Sequence, residues 1–208
     1  MVLKKGILIV FEGIDGTGKS TQARLLQKKL KARGFDVVSF KEPSPSKWGR
    51  EIKRSALYPD SLSPEEELDL FLKDRKENVK KNLKPALRRK KVVILDRYYY
   101  STISYQGAKG IDPERIKKMN EQFAPKADLV FILDIDARTG LERIEDRKKK
   151  ERLFEREDYL IEVRKRFKSF KGDHIVHLDA SRPEKEIGEE IGKIVLAYLS
   201  SVTQGSLE

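Results

Sequence analysis

The segment from Gly6 to Ser20, Gly-Ile-Leu-Ile-Val-Phe-Glu-Gly-Ile-Asp-Gly-Thr-Gly-Lys-Ser, runs from an apolar stretch into Gly13-x-x-x-x-Gly18-Lys19-Ser20. A chain carrying this pattern is held to one local course: buried strand, tight loop, helix. The glycines let the backbone turn so that successive amide N–H groups face one anion, and the following helix adds the positive end of its dipole. Lys19 can then reach the β- and γ-phosphates of a nucleotide, and the Ser20 hydroxyl can ligate Mg²⁺. The residues predicted to cradle ATP are Gly13, Asp15, Gly16, Thr17, Gly18, Lys19, Ser20 and Thr21. Both flanks agree: Gly6 to Phe11 is continuously apolar, and Thr21 to Arg33 is amphipathic, with Leu25, Leu26 and Leu30 on one face.

Beyond the loop, strands and helices alternate. Asp36–Lys41, Lys91–Asp96, Leu129–Asp134 and His174–Asp179 read as further strands. Helices are expected over Trp48–Leu57, from a cap at Ser63-Pro64 to about Leu87, from Asp112-Pro113 to near Phe123, from Asp136 to about Arg147, up to about Phe170, and over Pro183–Leu199. The fold class is therefore α/β, a doubly wound and mostly parallel five-stranded sheet with helices on both faces. Ligands in such sheets sit at the carboxyl ends of the strands. That rule gathers the phosphate loop, the Glu42 loop, Asp96-Arg97 and the end of the fourth strand around one cleft.

A length of 208 residues suits one domain, read as 1–202 with a frayed polar tail over 203–208. With no cysteine there are no disulfides or thiolate metal sites, and with no leader or long apolar run a cytoplasmic protein without membrane contact is expected. The histidines, His174 and His177, flank a strand rather than forming a metal pair. A net charge of +11 invites a nucleic-acid partner, yet charged residues of both signs make up 38% of the chain, as on a solvated ion-paired surface. A polyphosphate substrate needs a cationic cleft too, so bulk charge does not choose between them.

The third strand ends in Asp96 followed by Arg97, which makes sense where a second phosphate is held, because guanidinium binds phosphate oxygens through paired hydrogen bonds. No Asn-Lys-x-Asp guanine-reading segment is present. The stretch Asp96-Arg97-Tyr98-Tyr99-Tyr100-Ser101-Thr102-Ile103-Ser104-Tyr105-Gln106-Gly107 resembles the thymidylate kinase signature Asp-Arg-Tyr-x-x-Ser-x-x-Ala-Tyr-Gln-Gly, with Ser104 in place of alanine. Phe11 to Gln22, Leu70 to Arg75 and Leu178 to Pro183 are similar to that family's other blocks, in family order.

The resemblance implies a kinase that moves a phosphoryl group from Mg-ATP to dTMP, working as a homodimer. It also implies roles. Phe71 stacks on the base, Arg75 donates to a base carbonyl, and Thr102 and Gln106 line the opposite wall. Tyr105 lies beneath the sugar, Asp15 accepts from the sugar 3′-hydroxyl, and Arg97 holds the acceptor phosphate. Ser20 and Asp96 hold the metal, while Arg143 and Arg182 join the ATP contacts. Some family members carry a basic residue where this chain has Gly16, so the cation on the transferring group is expected from a mobile lid over residues 147–157, with Arg147 and Arg152 as catalytic candidates beside Lys19 and Arg97. The sequence departs from the family after the second strand, where Lys41-Glu42-Pro43-Ser44-Pro45-Ser46-Lys47-Trp48 replaces Arg-Glu-Pro-Gly-Gly-Thr. Lys41, Lys47 or Arg50 is expected to replace that arginine on the acceptor phosphate. The same loop faintly resembles deoxynucleoside kinases, whose glutamate deprotonates a sugar hydroxyl; that is the alternative enzyme, and an ATP-dependent nucleic-acid-binding protein is the alternative of another class.

Overall fold

In a computed structural model of the chain, describing residues 3–58, 61–144 and 153–203, β1 (Ile7–Glu12) enters the phosphate loop and α1 (Lys19–Ala32) follows. Next come β2 (Val37–Lys41), α2 (Lys47–Ser55) and α3 (Pro64–Asn78). The start of α3 follows its sequence signal: Ser63 Oγ accepts from the Glu66 N–H, the Glu66 carboxylate accepts from the Ser63 N–H, and Pro64 sits in the first turn. The sequence predicts this helix unbroken to about Leu87. Instead a wide π turn over Val79–Leu83 separates α3 from α4 (Lys84–Arg88). Pro85 is the reason: it has no N–H to give and its ring presses on the carbonyl four residues back, a clash that a wider turn relieves.

The chain continues through β3 (Val92–Asp96), α5 (Tyr99–Ala108), α6 (Pro113–Glu121), β4 (Leu129–Asp134), α7 (Ala137–Ile144), α8 (Leu153–Ser169), β5 (Ile175–Asp179) and α9 (Glu184–Val202). The strands form one sheet in the order β2-β3-β1-β4-β5, parallel at every pairing. Every residue of β1 and β3 is buried, so helices cover both faces at the sheet centre. Helix α1 packs against α9, and α5 packs against α6 and α8. Because all strands run the same way, the carboxyl ends of β1 to β4 open on one edge, where the site lies.

The predicted strands and helices appear with bounds shifted by a few residues, and α5 is an addition. Helix α8 begins at Leu153, inside the stretch expected as a lid; residues 145–152, with Arg147 and Arg152, lie outside the described residues. Thr203 forms an antiparallel bridge with Leu3, and 204–208 also lie outside them.

Candidate active site

The phosphate loop has the backbone its glycines permit. Gly13, Gly16 and Gly18 have φ of 135°, 81° and 86°. Lys19 is buried, and its ammonium donates to the Ile14 carbonyl (2.6 Å) and to Thr17 Oγ1 (3.3 Å), which itself donates to Ile14 O (3.0 Å). Burial, and then the nearby charge of Arg97, lowers the Lys19 pKa to about 7. No side chain caps the start of α1, so its first N–H groups are free to face an anion.

Gly16 has a second constraint. A Cβ there would lie 2.2 Å from the Gly140 carbonyl oxygen, and a Cβ on Gly140 would lie 2.7 Å from the Asp15 carbonyl oxygen. Loop and α7 therefore touch glycine to glycine, and no side chain fits where some family members place a cation. Gly16→Ala combines left-handed strain of about 1–2 kcal/mol with that clash, so ATP affinity is expected to fall by about tenfold or more, measurable by calorimetric titration.

Beside the loop, Ser20 Oγ donates to Asp96 Oδ2, and Lys41 Nζ lies 3.1 Å from Ser20 Oγ and 3.2 Å from Asp96 Oδ2. The other carboxylate oxygen, Asp96 Oδ1, is buried without a partner. The orphaned carboxylate oxygen and the neighbouring hydroxyl are the kind of oxygen donors a hard cation takes, and the Lys41 ammonium shows that the spot already attracts positive charge. Mg²⁺ fits this donor set because it takes one or two protein oxygens and fills the rest with water and phosphate. No group of three or more His, Cys, Asp or Glu side chains gathers among the described residues. Of the three candidates to replace the missing arginine, only Lys41 reaches this junction. Lys47 lies over the Trp48 ring at 4.2 Å and Arg50 donates to the Pro45 carbonyl at 2.8 Å.

On the other side of Asp15 lies a cavity of about 360 Å³. The structure brings Phe71, Arg75, Arg97, Thr102, Tyr105 and Gln106 together around it, with Asp15 at its mouth. Arg97 adopts φ 72°, pairs with Asp15, donates to Ser101 Oγ at 3.0 Å and lies 5.3 Å over the Tyr105 ring. Phe71 is half-buried and faces the cavity rather than joining the core. Gln106 Nε2 donates to Glu67 at 2.7 Å, which sets the amide and leaves its buried carbonyl oxygen unpartnered. Toward the other end of the loop, Arg143 donates to the Gly16 and Ala180 carbonyls at 3.4 and 3.2 Å. Arg182 instead pairs with Glu190 at 2.6 Å.

The phosphate loop and an aromatic-lined cavity of about 360 Å³ thus meet at Asp15. The thymidylate kinase family profile matches residues 11–191. The chain belongs to the thymidylate kinase family. It is 46% identical over 194 residues to a probable thymidylate kinase of Archaeoglobus fulgidus, covering 93% of this chain and 97% of that one. It is 47% identical to a thymidylate kinase of Akkermansia muciniphila, covering 91% of each chain. It is 44% identical to one of Brachyspira hyodysenteriae, covering 90% of this chain and 92% of the other.

Around the family signature, buried polar residues hold the cavity in shape, three of them, Asp74, Asn78 and Asn120, given no role by the sequence. Arg75, 1% exposed, donates to Glu42 Oε2 (2.8 Å), Asn120 Oδ1 (2.6 Å) and Thr102 Oγ1 (3.0 Å), and Asn78 donates to the other Glu42 oxygen (3.0 Å). Burial pushes the Glu42 carboxyl up, against the pull of Arg75. Asp74 accepts from the Ser44 N–H (2.8 Å) and from Ser46 Oγ (2.6 Å), tying the divergent Pro43–Ser46 loop to α3. The only sequence hint of these contacts is polarity on the buried face of α3, where Asp74, Arg75 and Asn78 sit among Leu68 and Leu72.

Proposed function

We propose that the protein transfers the γ-phosphoryl group of ATP to dTMP, releasing ADP and dTDP. What carries this reading is the Asp15–Arg97 pair, which joins the phosphate loop to the mouth of the aromatic cavity. The acceptor phosphate is largely anionic near neutral pH, so its oxygen needs no strong base to attack the γ-phosphorus. Alignment and charge neutralisation are the main tasks left to the protein.

Arg97 takes the acceptor phosphate, and Asp15, released from it, accepts the sugar 3′-hydroxyl. Phe71 stacks on the thymine ring. Arg75, with guanidinium donors still free beyond its three protein partners, gives one to a base carbonyl, and the orphaned Gln106 oxygen accepts the base N–H. Thr102 completes that wall and Tyr105 closes the sugar side. On the donor side Lys19 moves from the Ile14 carbonyl to the β- and γ-phosphates, Arg143 contacts the nucleotide, and Ser20 and Asp96 would hold Mg²⁺. When bound, the metal supplies positive charge on the phosphate oxygens. Lys41, close to both holders, adds charge at the junction between donor and acceptor.

Against the deoxynucleoside kinase alternative stands Glu42. Both its oxygens are engaged, by Arg75 and Asn78, so it serves as an anchor rather than a free base for a sugar hydroxyl. Among the described residues no helix is long and apolar enough to cross a membrane. For the homodimer, the exposed Leu57 and Tyr58 at the end of α2 offer apolar surface.

ADP release with Mg-ATP against dTMP, dUMP, dCMP, dGMP and thymidine tests the proposal. dTMP should be turned over fastest and thymidine hardly at all; thymidine turnover exceeding that of dTMP would overturn it.

A further inference from the structure

We infer that Glu12, the last residue of β1, is the positioning residue that sets Arg97 for the acceptor phosphate. Its carboxylate is completely buried, and it reaches across the chain to the start of α5. One oxygen accepts the Tyr98 N–H (2.7 Å) and the Ser101 N–H (3.2 Å); the other accepts from Ser101 Oγ (2.5 Å). Helix α5 has no side-chain cap of its own, and a carboxylate from β1 takes the N–H of its N-cap residue Tyr98 and of Ser101 in its first turn.

Ser101 carries the effect onward. Its hydroxyl hydrogen goes to Glu12, which keeps its lone pairs for the Arg97 guanidinium at 3.0 Å. The Arg97 backbone hangs from the same strand, donating its N–H to the Phe11 carbonyl at 3.0 Å, and it holds the left-handed φ of 72°. A non-glycine residue keeps such a conformation only where its surroundings over-determine it, and here β1 and Ser101 supply that constraint.

Arg97 thus has two carboxylates of opposite character. Asp15 is half exposed and can exchange Arg97 for a sugar hydroxyl, whereas Glu12 has no access to solvent or ligand. The inner contact persists through the catalytic cycle while the outer one turns over. Burial raises the Glu12 carboxyl to about 7, opposed by the Ser101 hydrogen bond and the charge of Arg97. This inference rests on Arg97 binding the acceptor phosphate, as proposed above.

Glu12→Gln, Ser101→Ala, Ser101→Thr and the Glu12→Gln/Ser101→Ala pair test it, through kcat and KM for dTMP, ATP affinity, and thermal melting. Glu12→Gln should lower kcat/KM for dTMP on the order of 10–100-fold, with ATP affinity within about threefold of wild type. Ser101→Ala should lose in the same direction, Ser101→Thr should recover most of it, and the pair should be no worse than Glu12→Gln alone. Equal losses on the ATP side would mean that Glu12 merely shapes the phosphate loop, and fully additive losses would mean that it does not act through Ser101; either result overturns the inference, as does wild-type activity in Glu12→Gln. Should Glu12→Gln fail to fold, the two Ser101 variants decide alone: no change in dTMP kinetics for Ser101→Ala overturns it. Should wild type prefer another phosphorylated acceptor, the dTMP reading fails while the same split, measured on that acceptor, still decides the role of Glu12.

Discussion

Alanine at Arg147 or Arg152 is expected to lower turnover by about 10³-fold or more while ATP affinity changes by no more than about tenfold. The transferring phosphoryl group spreads its charge over several oxygens, and Lys19 and Lys41, the described cations proposed for the donor side, are both held from within the phosphate-loop region. Lys19 lies under the loop; Arg97 is paired with Asp15 and Ser101; Arg143 is held by the Gly16 and Ala180 carbonyls. The family's alternative cation position is closed, since any side chain on Gly16 meets the Gly140 backbone. We propose the basic stretch between α7 and α8 as the further source, since an arginine that acts only on the transition state would raise turnover rather than affinity. Single-turnover rates and ATP titrations on Arg147→Ala, Arg152→Ala and the pair separate the two quantities. Turnover within about tenfold of wild type for all of them would remove the lid from the mechanism.

Arg75→Met should cost about 3–5 kcal/mol of folding stability and strongly weaken dTMP binding. Methionine fills similar space but leaves the buried Glu42 carboxylate without its ion pair, and Asn120 and Thr102 without their donor. Because the Glu42 carboxyl is already pushed up by burial, losing the guanidinium raises it further. A group whose folded pKa lies above its unfolded value stabilises below the unfolded pKa and loses that contribution as pH rises through the folded one. The deficit of the variant should therefore be largest at pH 8 and shrink toward pH 5, in urea unfolding curves measured across that range. Adding Glu42→Gln should recover part of the loss, because no unpaired charge then remains. A deficit independent of pH would mean that lost packing, not the stranded carboxylate, sets the cost.

Much of this was legible in the residues. The phosphate loop announces itself because its chemistry is local: glycines, a lysine and a hydroxyl within one turn of chain, between a strand and a helix. The capping box of α3 is legible for the same reason. Helix α5 is not. Nearly every residue from Tyr99 to Gly107 is buried, so it presents no polar face, and no periodic pattern marks it. Its cap, Glu12, stands 86 residues before the Tyr98 N–H that it accepts. Lys41 could be nominated from its place in the divergent loop, but only the pairing of β2 with β3, Lys41 beside Asp96, puts its ammonium on Ser20 and Asp96.

By itself the sequence determined the glycine-permitted course of the phosphate loop and the family to which the chain belongs, since both rest on short runs whose spacing is the chemistry. Tertiary structure decided how the acceptor half is held: the cage of Arg75 by residues 27 to 45 positions away, the anchoring of Arg97 by Glu12, and the closing of Gly16 against Gly140. Those contacts form only when a parallel sheet brings strand ends from distant parts of the chain to one edge, and no local pattern encodes which buried polar groups will meet there.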